Sequence, residues 1–227
     1  MRMVDWPRSI GYASMSLPTG PNVYRSGVNE TTAGGQKAYA GVGSRLRWSV
    51  TFGRCQRRNA RELEGALDNA GNGAEIIRMP WLHGDRLTLD EAGATPVVWD
   101  DVEWSEGGTW GPSYPLVTPA VFHPKGATIV QLTSEAWGHD LGIGSWIGFT
   151  GVFAAHRIRE VLAPGVYRVG PRLRAPVAAS EQRCTLEPVV ACTVVPGSVE
   201  LERDPTTLSG SASFVEVLHS EVETYAT

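Results

Sequence analysis

Cysteine is scarce in this chain of 227 residues: only Cys55, Cys184 and Cys192 occur. Three thiols cannot all pair within one chain, and their spacing matches no zinc or redox motif, so they are read as buried thiols. Long apolar runs are missing too. No stretch approaches the roughly 20 apolar residues that a membrane-spanning helix needs, and the opening Met1 to Ile10, with Arg2, Asp5 and Arg8, holds no apolar run of signal-peptide length. The expectation is a soluble protein made in a cytoplasm, with no membrane partner. Without a secretion signal the sequon Asn29-Glu30-Thr31 carries no weight. Basic charge is not in excess either: 20 Lys and Arg face 24 Asp and Glu, giving a formal charge of −4. A protein that reads DNA by neutralising phosphates needs a clustered basic surface, and this balance argues against one.

The local signatures of catalysis are also absent. There is no HExxH, P-loop or GxSxG. The run Gly142-Ile143-Gly144-Ser145-Trp146-Ile147-Gly148 superficially looks like a dinucleotide loop, but its third glycine is displaced by one and a strand-like segment follows, which favours a β-turn glycine cluster. Asp100, Asp101, Glu103 and Glu106 lack the ligand spacing and turn glycine of a calcium loop and read as a solvated acidic loop. His83, His123, His139, His156 and His219 are scattered, none at the helical spacing of a zinc pair. Asp101 and Glu103 can be imagined as a glycosidase pair, but that chemistry depends on separation in space. The reading is a non-enzyme, with no catalytic residue, metal ligand or cofactor assigned.

What is present is turn chemistry and tryptophan. With 26 Gly, 15 Pro, 42% hydrophobic and 19% charged residues, the composition fits an ordered, mainly β protein with few long helices. From Ser44 to Phe52, Leu46, Trp48, Val50 and Phe52 alternate with Arg45, Arg47, Ser49 and Thr51, which predicts a half-buried strand. Asn59 with Glu62 has the form of a capping box, so a helix is expected to begin there, carrying Ala60, Leu63, Ala66 and Leu67 on one face and ending at Asn69-Ala70-Gly71. Ala74 to Pro80 reads as the next strand. From about Leu82 to Lys125 the chain changes character, becoming rich in Trp, acid, Gly and Pro, and a domain boundary is placed near this change. Gly142 to Phe153 suggests a hairpin or a bend, and Pro164-Gly165 a turn between strands. Val189 to Leu201 and Ser213 to Leu218 are strand-like, separated by Asp204-Pro205 and a Ser/Gly loop, so the chain is expected to end as sheet.

Eight tryptophans are the one unusual chemical feature. Burial is the ordinary fate of such rings, and Trp48 fits it on the apolar side of its strand. Trp104 and Trp110 lie in a polar, Gly-rich segment and are the candidates for a protein interface or for stacking on a glycan.

Two stretches resemble a family of siphophage tail-tip proteins. One runs from Trp6-Pro7 and Ile10-Gly11-Tyr12 through the strand Gly43 to Phe52, the helix Ala60 to Leu67, Ala70-Gly71-Asn72-Gly73 and Ile76 to Pro80. The other is Gly144-Ser145-Trp146-Ile147-Gly148-Phe149 with His156-Arg157-Ile158 and Pro171-Arg172-Leu173-Arg174. Together they touch about half the chain, and Trp99 to His123 departs from the pattern. The resemblance is to distal tail proteins. It implies a tail-tube-like β-sandwich with one flanking helix over residues 1–85 and 195–227, interrupted at 86–194 by a smaller barrel-like β domain. It further implies a ring of about six copies, a homo-hexamer joining the tail tube to the tail-tip hub of the virion, with DNA passing through the lumen without specific binding. No catalytic residue carries over. The major tail-tube subunit and a carbohydrate-binding tail module using Trp104 and Trp110 are the alternative readings.

Overall fold

A computed structural model describes residues 2–7, 9–16, 23–25, 38–40, 45–81, 116–179 and 181–225. The chain divides into two compact units, Met1–Leu82 with Val189–Thr227, and His83–Pro188. In chain order the first segment contains β1 (Met3–Asp5), β2 (Ser14–Met15), β3 (Val23–Arg25), β4 (Ala38–Ala40), β5 (Arg47–Gln56), α1 (Arg57–Asn69) and β6 (Ile76–Pro80). The inserted unit contains β7 (Ile129–Gln131), β8 (Trp146–Phe149), β9 (Val152–Ala163), β10 (Val166–Gly170) and β11 (Cys184–Thr185). The returning segment adds β12 (Val189–Val194), β13 (Glu200–Arg203), β14 (Thr207–Glu216) and α2 (His219–Tyr225). The architecture is mainly β, as the composition predicts.

The first unit is built on one seven-stranded sheet in the order β1-β6-β12-β14-β5-β2, with β13 lying alongside β14 and β3 pairing β4 separately. Among the described residues, only β1 with β6 is parallel in this sheet. The alternation predicted around Trp48 is observed: Trp48, Val50 and Phe52 are buried and Arg47, Ser49 and Thr51 exposed. Phe214 opposes Trp48 and Ala212 opposes Val50, so β14 extends the same apolar face, which Val190, Cys192 and Val194 continue on β12. Trp6 stacks on Phe52 at 5.7 Å, and Trp48 meets Trp81 edge-on at 5.1 Å and stacks on Phe214 at 6.0 Å. Such pairs add about 0.5–1.5 kcal/mol each beyond the area they bury. The thirteen-residue helix α1 lies against β5 and β14 with Ala60, Leu63 and Leu67 buried, and it is through this packing that so short a helix is stable. On the opposite face the middle of β5 and β14 is small and hydroxylic, while Arg47 and Arg78 stand on the same face. Ser49 opposes Ser213 and Thr51 opposes Ser211, with Ser49 Oγ 2.8 Å from Ser213 Oγ.

Four expectations are corrected here. The helix begins at Arg57, not after an Asn59 cap; Gln56 occupies the cap position with no side-chain hydrogen bond. The reason is tertiary: β14 holds the chain extended as far as Gln56, opposite Thr207, and Arg57, at φ +47, turns it straight into the helix. Glu62, which would complete the box, instead accepts hydrogen bonds from Ser9 and Arg58. The Ser/Gly stretch Ser209-Gly210-Ser211 lies inside β14 and is not a loop, because β5 and β13 flank it on both sides. The chain does not end as sheet; α2 follows β14. The return to the first unit comes at Val189, ahead of the expected 195, since β12 pairs with β6 and β14 of that unit.

The inserted unit is an antiparallel sheet in the order β11-β8-β9-β10-β7. The Gly142 to Phe153 stretch forms the β8–β9 hairpin. Pro164-Gly165 turns β9 into β10, with Gly165 at φ +75 in the position where a side chain would be strained. The segment 117–120 bonds β7 on one side, through Ala120 N–H to Gln131 O at 2.9 Å and Thr133 N–H to Thr118 O at 2.9 Å. On its other side Val117 O accepts from Cys184 N–H of β11 at 2.8 Å. The two ends of the strand order are thereby linked. Inside lies a separate core that includes Val130, Leu132, Trp137, Ile147, Phe149, Ile158, Tyr167 and Val169.

Candidate functional site

The strand-to-helix junction creates the most distinctive polar geometry of the first unit. Phe52 opposes Gly210 while Cys55 opposes Leu208, so β5 carries one extra residue at Gly53-Arg54, a bulge that bends the strand into the junction. The turn from β13 to β14 runs beside it, and Gln56, Arg57, Ala60, Arg61, Arg203, Asp204, Pro205, Thr206 and Thr207 wall a cleft of about 650 Å³. No side chain caps α1 and no acid stands in its first turn. Arginines stand there instead, at the end where the helix dipole disfavours cations.

Ion pairs fix part of this corner. Both arms of Arg203 reach the Glu64 carboxylate at 3.2 Å, tying β13 to α1, and Arg58 Nε binds Glu62 at 2.6 Å. Hydrogen bonds from Ser9 and then Arg58 hold the Glu62 carboxyl below its usual range. Thr207 Oγ1 donates to Asp204 at 3.3 Å. Arg54, Arg57 and Arg61 are exposed and take no acidic partner among the described residues.

Among the described residues, none that the sequence singles out as a candidate lines this cleft. Trp104 and Trp110 fall outside the described residues, as do His83, Asp100, Asp101, Glu103 and Glu106. His123 is buried, its Nε2 accepting from Gln131 N–H at 3.1 Å. His219 faces Glu223 one helical turn away at 3.2 Å. His156 lies in the inserted unit, 0% exposed, with Nδ1 donating to Pro171 O at 2.9 Å and Nε2 enclosed without a partner. Burial is the main cause that lowers its pKa to about 4, and the nearby Arg174 charge adds to it. The histidines, cysteines and acids form no metal-holding group among the described residues. Cys184 and Cys192 are fully buried, their thiols pushed well up by desolvation, whereas Cys55 is only half-buried. The Gly142 to Gly148 run leads into a strand of the inserted unit, and Gly148 lies against Pro188, so it is a packing glycine. The cleft itself was missed in the sequence. Arg54, Arg57, Arg58 and Arg61 within eight residues were the visible part of the signal, and Arg203 arrives from a distant strand.

No protein-family model matches the chain, and a search of curated proteins returns no match.

Proposed function

We propose that the chain is the repeating structural subunit of a ring at the distal end of a siphophage tail, joining the tail tube to the tail-tip hub. The observation that carries this reading is the two-faced seven-stranded sheet: helix and aromatic core on one side, and on the other a central patch of serine and threonine with Arg47 and Arg78 beside it. Its outer strands are short or charged. β2 spans two residues, and β13, with Glu200, Leu201, Glu202 and Arg203 all exposed, pairs β14 alone among the described residues. A ring in which strands of one subunit meet those of the next removes such edges. Toward a lumen, the hydroxyl patch in the middle of this face would hold DNA phosphates less tightly than a closely clustered set of cations, which makes the strong phosphate contacts. We read the inserted unit as a small β-barrel, supported by the segment 117–120 that links β7 to β11. In this reading the chain performs no catalysis, and its work is assembly.

Native mass spectrometry and electron microscopy of the purified chain test the proposal. Closed rings of about six copies are the expected species. Copy number in the particle separates the two ring readings: one ring marks a tail-tip adaptor, many stacked rings the tail tube. A chain that stays monomeric within an assembled particle sinks both.

A further inference from the structure

We propose that the cleft between the start of α1 and the β13–β14 turn binds a phosphate polyanion, independently of the tail reading. The argument is one of charge accounting in a defined space. Arg57, Arg61 and Arg203 line the cleft against a single acid, Asp204. Arg203 is paired with Glu64, which is not among the lining residues, so the surplus charge of the cleft rests on Arg57 and Arg61. Arg57 and Arg61 have no carboxylate to meet among the described residues. The cleft is therefore locally positive in a chain whose formal charge is −4.

Guanidinium groups present forked N–H donors that match the oxygens of phosphate, and an ionised acceptor roughly doubles the strength of each hydrogen bond. The remaining lining groups suit the same ligand. Gln56 offers an amide, and Thr206 offers a hydroxyl. Donors that come both from the β5–α1 junction and from the β13–β14 turn serve a tetrahedral oxyanion better than a flat carboxylate, which one guanidinium satisfies. A volume of about 650 Å³ exceeds what one phosphate fills and lies within the range of small-ligand sites. The ligand class is accordingly a chain of linked phosphates, from a free oligophosphate or from a nucleic-acid backbone.

Calorimetric titration of the full chain with tripolyphosphate is the direct experiment, with a single-stranded oligonucleotide as a second arm. Saturable binding of one tripolyphosphate per chain is expected. Each of Arg57→Ala and Arg61→Ala should weaken it by about tenfold, the factor that follows from losing a charged hydrogen bond. Arg57→Lys, which keeps the charge and loses the fork, should fall between. Arg168→Ala, on β10 of the inserted unit and paired with Glu160, is the control and should bind as the parent does. If the oligonucleotide binds with the same dependence on Arg57 and Arg61, the source is nucleic acid; if only tripolyphosphate does, it is a small phosphate compound. No saturable binding, or equal loss in Arg168→Ala, overturns the proposal. Circular dichroism melting of each variant confirms that the sheet is intact.

Discussion

Acidification from about pH 7 to about pH 4.5 should weaken the inserted unit through a single imidazole. His156 shares the buried side of β9 with Ala154 and Ile158, and burial lowers its pKa from 6.5 to about 4. Above the unfolded value both states are neutral and the group contributes nothing to pH dependence. As pH falls below 6.5 the unfolded chain takes up a proton that the folded chain refuses, so stability declines until the folded value is reached. The slope is about 1.4 kcal/mol per pH unit, which over about two units amounts to about 2–3 kcal/mol. His156→Gln keeps an N–H for Pro171 O and removes the titration. Urea unfolding of the full chain at both pH values, followed through amide resonances of β9 and β10, scores this unit by itself. The parent should lose about 2–3 kcal/mol more than the variant. Equal losses in the two proteins, or an imidazole that titrates near 6.5 in the folded chain, would refute the reasoning.

Two further substitutions probe the units, one in each. Tyr167→Phe removes a buried hydroxyl that donates to Gly138 O at 2.9 Å and accepts from Leu141 N–H at 3.2 Å; stranding both groups should cost about 1–3 kcal/mol in the same urea measurement. Gly210→Ala places a methyl 2.1 Å from Glu200 O and 2.8 Å from Leu201 Cδ2, so β13 must separate from β14. The expected result is faster amide exchange over 200–203 and a loss of about 1–3 kcal/mol in the first unit.

What the sequence disclosed and what it hid follow from the range of the forces involved. The alternation through Trp48, Val50 and Phe52 is a local record of a one-sided sheet, and the Leu63 and Leu67 stripe a local record of a helix lying on it. The start of α1 was misjudged because Asn59 and Glu62 are a local signal overridden by pairing with β14, which the neighbouring residues do not reveal. Ser209-Gly210-Ser211 has the composition of a loop, yet its small size is what lets β13 approach. The arginine cleft was half legible. Arg57 and Arg61 sit close in sequence, while the turn that closes the space around them comes from near the other end of the chain. Net charge concealed it, because a sum over the molecule says nothing about where like charges gather.

Pro80, the last residue of β6, stands opposite Val189, the first residue of β12. Everything from His83 to Pro188 is thus an excursion from the tip of what is otherwise an ordinary hairpin. Ring-closure entropy grows so slowly, by about 0.6 kcal/mol per doubling of length, that a hairpin tip tolerates a whole folded body in place of a tight turn. The strand register of the host sheet therefore does not depend on the length spliced there, and evolution can exchange the guest while leaving the pairing of β6 with β12 untouched.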